Sequence, residues 1–228
     1  GPLRTKKKAD ANFICSGGIC NGCFFIPLSK KEELFQLLCN EENSKYGVIF
    51  KHNETWQKTQ LMLDIDLRFE AETIVPNSFF STLALLVANV ISDTKQEDVK
   101  FYITSKSEGY WKEFKSLGRK LFANGCHIYF PGVIITKEQA RQILQPLENV
   151  AREIFSELKP LWVDSIFDER IPIKRCNGLY VLGQQKPKCS KQLTSKLTIY
   201  GSTSNSKLPI PEYNPRLFET LYRFIWYD

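Results

Sequence analysis

From residue 61 to residue 69 the chain reads Leu-Met-Leu-Asp-Ile-Asp-Leu-Arg-Phe, so Leu61, Leu63, Ile65, Leu67 and Phe69 alternate with Met62, Asp64, Asp66 and Arg68. Successive side chains of a strand leave opposite faces, and this alternation predicts a strand with one apolar and one largely charged face. Other short apolar runs predict strands over residues 24–28, 46–50, 99–104 and 127–130, with weaker ones at 171–183 and 197–200. Helical spacing lies between them. Residues 30–39 are predicted as a helix capped by Ser29, with Glu32 as its early acid, and residues 77–92 as a second with Asn77 as cap. Ala140, Ile143, Leu144, Leu147, Val150, Ala151, Ile154 and Leu158 recur every three or four residues, which predicts a long helix capped by Thr136 and ended by Pro160. A helix is also predicted from 110 to 121, stopping near Asn124-Gly125, and an amphipathic one from Pro215 onward.

Strands alternating with helices predict an α+β, α/β-like fold. The strand–helix–strand run over 61–130 suits a small RNA-recognition-like or ferredoxin-like sheet with helices on one face. An N-terminal α/β part, residues 9–60, packs with this core of about 61–200, and a C-terminal helix follows at about 215–228. All of 9–228 is expected to form one domain behind residues 1–8.

Composition narrows the setting. The 228 residues are 43% hydrophobic and 25% charged, enough to bury a core without disulfide or metal support. Lys and Arg number 31 against 25 Asp and Glu, a net charge of +6 that permits a polyanionic partner without identifying one. The longest apolar run, residues 83–91, is broken by Asn89 and falls short of the roughly 20 residues of a membrane span. Residues 1–8, Gly-Pro-Leu-Arg-Thr-Lys-Lys-Lys, lack the apolar stretch of a secretory signal and read as a tag scar and basic tail ahead of an excised fragment. Seven Cys, an odd number, fit a reducing, intracellular compartment. Cys15, Cys20 and Cys23 form one local cluster. It is open to two readings: a structural Zn²⁺ site, for which a second tight ligand pair is missing, or free thiols.

Three segments carry chemistry. Asp64 and Asp66 stand on one strand face with Cα atoms about 7 Å apart, and their mutual repulsion calls for a cation or for solvent. Mg²⁺ or Mn²⁺, a hard ion that takes oxygen ligands, suits such a pair; the alternative is a solvated face on an edge strand. An otherwise wholly apolar strand, expected at the centre of the sheet, favours the metal. Next, Gly125-Cys126-His127 leads into a strand, and His127 is one of only two His in the chain. By itself it reads better as a core or strand-edge histidine satisfied by a backbone carbonyl. Last, Asp164 is an acid inside the apolar run 161–167, a place where turn and cap residues also occur.

In this order Leu63-Asp64-Ile65-Asp66, Gly125-Cys126-His127 and Val163-Asp164 resemble the archaeo-eukaryotic primase superfamily, over roughly residues 45–185. The surrounding wording is most similar to primase modules at the front of primase-helicases of large nucleocytoplasmic DNA viruses. The resemblance implies a primase-polymerase catalytic core. In it Asp64, Asp66 and Asp164 hold two divalent ions, Mg²⁺ or Mn²⁺, and His127 with Gly125 contacts the nucleotide triphosphate. Lys174 and Arg175 serve as basic phosphate ligands. Gly125 stands where the family expects Ser, so a backbone N–H there replaces the hydroxyl.

The function expected is template-directed nucleotidyl transfer that makes primers on single-stranded DNA from nucleoside triphosphates, with a helicase module as C-terminal partner. Host cytoplasm is the expected location, with the nucleus as the alternative. Two rivals remain open: another two-metal nucleotidyltransferase or nuclease, and a non-catalytic single-stranded nucleic-acid-binding module. The second would want exposed aromatics where this strand carries Asp64 and Asp66.

Overall fold

The computed structural model describes residues 3–4, 11–16, 22–40, 47–50, 58–106, 108–168, 179–183 and 195–222. In chain order the elements are β1 (Leu3–Arg4), β2 (Phe13–Ser16), β3 (Gly22–Phe25), α1 (Lys31–Cys39), β4 (Gly47–Phe50), β5 (Lys58–Phe69), α2 (Asn77–Lys95), β6 (Lys100–Lys106), β7 (Tyr110–Phe114), β8 (Arg119–Thr136), α3 (Lys137–Phe155), β9 (Leu179–Tyr180), β10 (Ser195–Ser202) and α4 (Pro215–Tyr222). Two sheets hold them together. One has the order β1-β3-β2-β4-β9, and the other β10-β6-β8-β5 with β7 added alongside β8. The mixed α+β class is as expected.

Helix starts follow the expected chemistry at one of three places. At α3 the Thr136 side chain accepts from Gln139 N at 3.2 Å while Gln139 Oε1 accepts from Thr136 N at 2.9 Å, a reciprocal cap. Ser29 instead lies inside a 3₁₀ turn, Leu28–Lys30, and Lys30 takes the cap position of α1 without a side-chain bond. Pro76, not Asn77, precedes α2.

The expected helix over 110–121 is a β-hairpin. Tyr110-Trp-Lys-Glu-Phe114 is rich in aromatics and pairs with β8 from Tyr110↔Ala123 to Phe114↔Arg119. Gly118 at φ +63° allows the reversal in between, a conformation costly for any residue with a Cβ. The strand that was to begin at His127 therefore begins at Arg119 and runs 18 residues.

The first core lies between the larger sheet and helices α2 and α3. Leu61, Leu63, Ile65, Leu67 and Phe69 of β5 meet Phe80, Leu83 and Val87 of α2 and Leu144, Leu147 and Phe155 of α3 there. Burying an aliphatic or aromatic side chain of this kind contributes about 1.5–3 kcal/mol, so this stripe alone anchors the strand. A second core uses the opposite face of the same sheet. Met62, Tyr102 and Tyr129 pack with Phe35 and Leu38 of α1, Phe50 of β4, and Leu217, Phe218, Leu221 and Tyr222 of α4. Tyr222 closes this core by accepting from Leu182 N at 2.7 Å.

Strand order departs from the RNA-recognition-like expectation. There the last strand would flank the first; here β10 pairs with β6, and among the described residues β5, expected at the centre, has β8 as its one strand neighbour. Its outer edge is lined by the irregular segment 161–168. Leu161 N donates to Arg68 O at 2.7 Å, Asp66 N to Ile166 O at 2.9 Å and Asp168 N to Asp64 O at 2.9 Å, around an antiparallel bridge between Ile65 and Phe167. An edge that would otherwise expose unpaired amides is thereby satisfied.

Candidate active site

The site begins where the second core ends. Along the face of β5 opposite the first core, Met62 shares a row with Tyr129 and Tyr102, the next row is Asp64–His127–Thr104, the next is Asp66–Gly125, and the last is Arg68–Ala123–Tyr110. One strand spacing thus converts a buried apolar floor into a polar one. Asp64 and His127 are about one-fifth exposed, and His127 Nε2 lies 3.4 Å from Asp64 Oδ1. On its other side His127 Nδ1 is 3.4 Å from the Tyr129 hydroxyl. Burial pushes the Tyr129 phenol up, with the Asp64 and Cys126 charges adding to the shift, so it stays protonated.

Asp66 bonds to the Arg68 guanidinium, two residues on along the same face. Arg68 is nearly buried. It also donates to Leu67 O at 3.0 Å and lies over the Phe114 ring at 5.0 Å. Burial works against its charge, but the hydrogen bond and charge of Asp66, with Tyr110 and Asp164 contributing, hold its pKa above the ordinary arginine value.

Gly125 has a steric cause. A Cβ there would lie 1.9 Å from Ile65 O, so β5 and β8 approach too closely for the serine expected at this position. That approach is what sets Asp66 against the Gly125 backbone.

Asp164, the third acid of the sequence reading, lines the larger cavity with Asp66 and Arg68, and its charge acts on Arg68. Asp164 sits at an exposed bend, and its backbone carbonyl accepts from Arg152 at 3.3 Å. The bridge Ile65↔Phe167 sets Asp168 directly opposite Asp64. Residues directly opposite in an antiparallel pair share a face. In register Asp168 is therefore the partner of Asp64, a position the sequence reading passed over, and Asp164 and Asp168 both lie on the wall of the larger cavity with Asp66. The signal for Asp168 was present: Ile166-Phe167-Asp168 is as much an apolar–Asp segment as Val163-Asp164. Segment 161–168 is held on α3 by Glu148, which accepts from Ile166 N at 3.1 and 3.2 Å, from Ser165 Oγ at 2.8 Å and from Arg152 Nε at 2.9 Å.

Two cavities flank Asp66. The smaller, about 40 Å³, is lined by Asp64, Thr104, Gly125 and His127. The larger, about 410 Å³, lies between the β7 hairpin and segment 161–168, with Arg68, Lys112, Phe114, Trp162, Asp164 and Asp168 on its walls. Carboxylates on neighbouring positions of one face are hard oxygen donors and fit Mg²⁺ or Mn²⁺. Among the described residues no three acidic, His or Cys side chains already converge on one point.

Cys15 pairs with Gly22, and Cys23 with Ile14. Adjacent register positions send Cys15 and Cys23 to opposite faces of the sheet, which works against the zinc reading. Cys15 is buried in the second core. Cys20, Lys174 and Arg175 lie outside the described residues.

A sheet with an Asp-x-Asp strand beside a Gly-x-His strand is the arrangement the archaeo-eukaryotic primase resemblance called for. Residues 15–200 match the family described as the C962R protein N-terminal AEP domain, the archaeo-eukaryotic primase domain of C962R-like viral primase-helicases, and the chain belongs to that family. The family is one of primase-type nucleotidyltransferases. A search of curated proteins returned no match. Among the described residues no helix is long and apolar enough to cross a membrane.

Proposed function

We propose that this domain makes primers on single-stranded DNA from nucleoside triphosphates, as the primase module of a replicative primase-helicase. The observation that carries the reading is the register that puts Asp168, Asp64 and His127 in one row, with Asp66 one step along the strand. Asp64, Asp66 and Asp168 would hold two divalent ions, which supply charge neutralisation at the reacting phosphate and a lowered pKa for the attacking hydroxyl. The acceptor 3′-hydroxyl gives up its proton to solvent, its oxygen forms a new O–P bond to the α-phosphate, the α–β bridging O–P bond breaks, and pyrophosphate departs with the electron pair.

The chain's own groups orient that displacement. His127, steadied between Asp64 and Tyr129, faces the smaller cavity and serves the triphosphate. The Gly125 position lets the strand backbone come close to the same cavity. Asp66, on the walls of both cavities, stands between donor and acceptor nucleotides. The larger cavity is of nucleotide size and carries Lys112 and the aromatic rings of Phe114 and Trp162 among its lining, the surface a base and a phosphate require. Lys174 and Arg175 remain the proposed additional phosphate ligands, on the strength of the family resemblance.

The test is primer synthesis on an unprimed single-stranded template with labelled nucleotides and Mn²⁺ or Mg²⁺. Asp64→Asn, Asp66→Asn and Asp168→Asn are expected to lose synthesis, and Asp164→Asn to keep most of it. Undiminished synthesis in Asp64→Asn/Asp66→Asn would refute the proposal. Degradation of the labelled strand without added nucleotides would point to the nuclease reading instead.

A further inference from the structure

The two strand carboxylates are each drawn toward a different basic side chain. Asp64 faces His127, and Asp66 is held by Arg68. The Arg68 side chain is only 7% exposed against 37% for Asp66, so the guanidinium is the fixed partner and the carboxylate the movable one. Phe114 and Leu67 O hold it in place from the other side. Its Nε is buried without a hydrogen-bond partner among the described residues, so Asp66 is its principal compensation. A buried guanidinium kept on such terms is a poor choice for stability alone.

We propose that Arg68 is an internal counter-ion that keeps the acidic row weakly metal-binding until a nucleotide arrives. This inference rests on the metal reading of the acids given above. With Arg68 bound to Asp66, the cluster of Asp64, Asp66 and Asp168 presents one less negative charge, and Asp66 is drawn along β5 toward Arg68 and away from Asp64. Divalent-ion affinity of oxygen sites rises with the number of ligand charges. A triphosphate brings additional oxyanions, which restore that charge and give the guanidinium a second anion to hold. The ions then enter together with the nucleotide and not before it, and the empty site does not bind metal wastefully.

Mn²⁺ binding to this chain, followed by the EPR signal of free Mn²⁺, tests the idea without any turnover. Mn²⁺ alone is expected to bind the parent weakly, and more tightly with a non-hydrolysable deoxynucleoside triphosphate. Arg68→Met is expected to raise affinity for Mn²⁺ alone by about tenfold, from removal of a positive charge beside the ligand. Its melting temperature without metal should fall and should be raised by Mn²⁺ more than the parent's. Arg68→Lys keeps the charge but not the forked contact, and should fall between the two. An affinity unchanged or weakened in a folded Arg68→Met overturns the proposal and makes Arg68 an ordinary structural or orienting residue. Should Arg68→Met not fold, Arg68→Lys decides: tighter Mn²⁺ binding than the parent supports the proposal, and equal or weaker binding overturns it. A parent that binds no Mn²⁺ even with the triphosphate overturns the metal reading itself, a separate result.

Discussion

Glu148 is the residue whose removal most directly tests how the third acid is held. Its carboxylate takes two bonds from segment 161–168, Ile166 N and Ser165 Oγ, and a third from Arg152. A hydrogen bond to a charged group is worth about 1.5–3 kcal/mol, so the two segment bonds together reach about 3–6 kcal/mol. The side chain is 20% exposed and water recovers part of this, which leaves about 2–4 kcal/mol for Glu148→Ala. The Arg152 pair, one-third exposed on the arginine side, adds little. Glu148→Gln retains one acceptor oxygen and should cost about half as much. Urea unfolding measures the stability change, and primer synthesis well below the unfolding transition measures the consequence for the site. Because misplacement of a reacting group by about 1 Å can cost about 10²-fold in rate, synthesis by the still-folded variant should fall by more than the unfolded fraction explains. A stability loss below about 1 kcal/mol with synthesis unchanged would refute the role given to Glu148.

Three further outcomes are expected. Gly125→Ala, and Gly125→Ser with it, should destabilise the protein by at least about 2 kcal/mol in thermal unfolding, because the new Cβ meets the Ile65 carbonyl and both strands are fixed by cores; a neutral Gly125→Ser would show that the strands separate readily. The Cys126 thiol is pushed up by burial and by the charge of Asp64, so peptide-resolved alkylation at mildly alkaline pH should leave it unmodified in the folded protein while the half-buried Cys23 reacts. Equal rates at the two would contradict the packing. Asp98 accepts from Thr203 Oγ1 and Ser204 N, which lower its pKa from 3.8 to about 2. The folded pKa is depressed, so its stabilisation is present above 3.8 and is lost as pH falls toward about 2; acid titration of Asp98→Asn should show a shallower loss over that range.

The sequence by itself determined the elements with a strong local period. The alternation from Leu61 to Phe69 fixed which residues of β5 face the first core and which face the site, since a strand's two faces leave no other choice. Thr136 and Gln139 determined the start of α3 through contacts three residues apart. The Asp-x-Asp and Gly-x-His motifs pointed to the family for the same reason, because their spacing is local. Where local evidence was balanced, the reading failed: Tyr110–Phe114 has enough apolar residues for a helix, and only pairing with β8 makes it a strand.

Only the tertiary structure brings Asp168 opposite Asp64. Asp164 and Asp168 both follow apolar residues, and nothing within 161–168 distinguishes them. That register comes from an antiparallel bridge between residues 65 and 167, with Phe167 and Ile166 entering the first core and Glu148 of α3 gripping the segment. The same holds for the pairing of Asp66 with a buried Arg68 and for the two thiols sent to opposite faces. Each depends on register between segments far apart in the chain, and register is a property of packed cores rather than of any local run of residues.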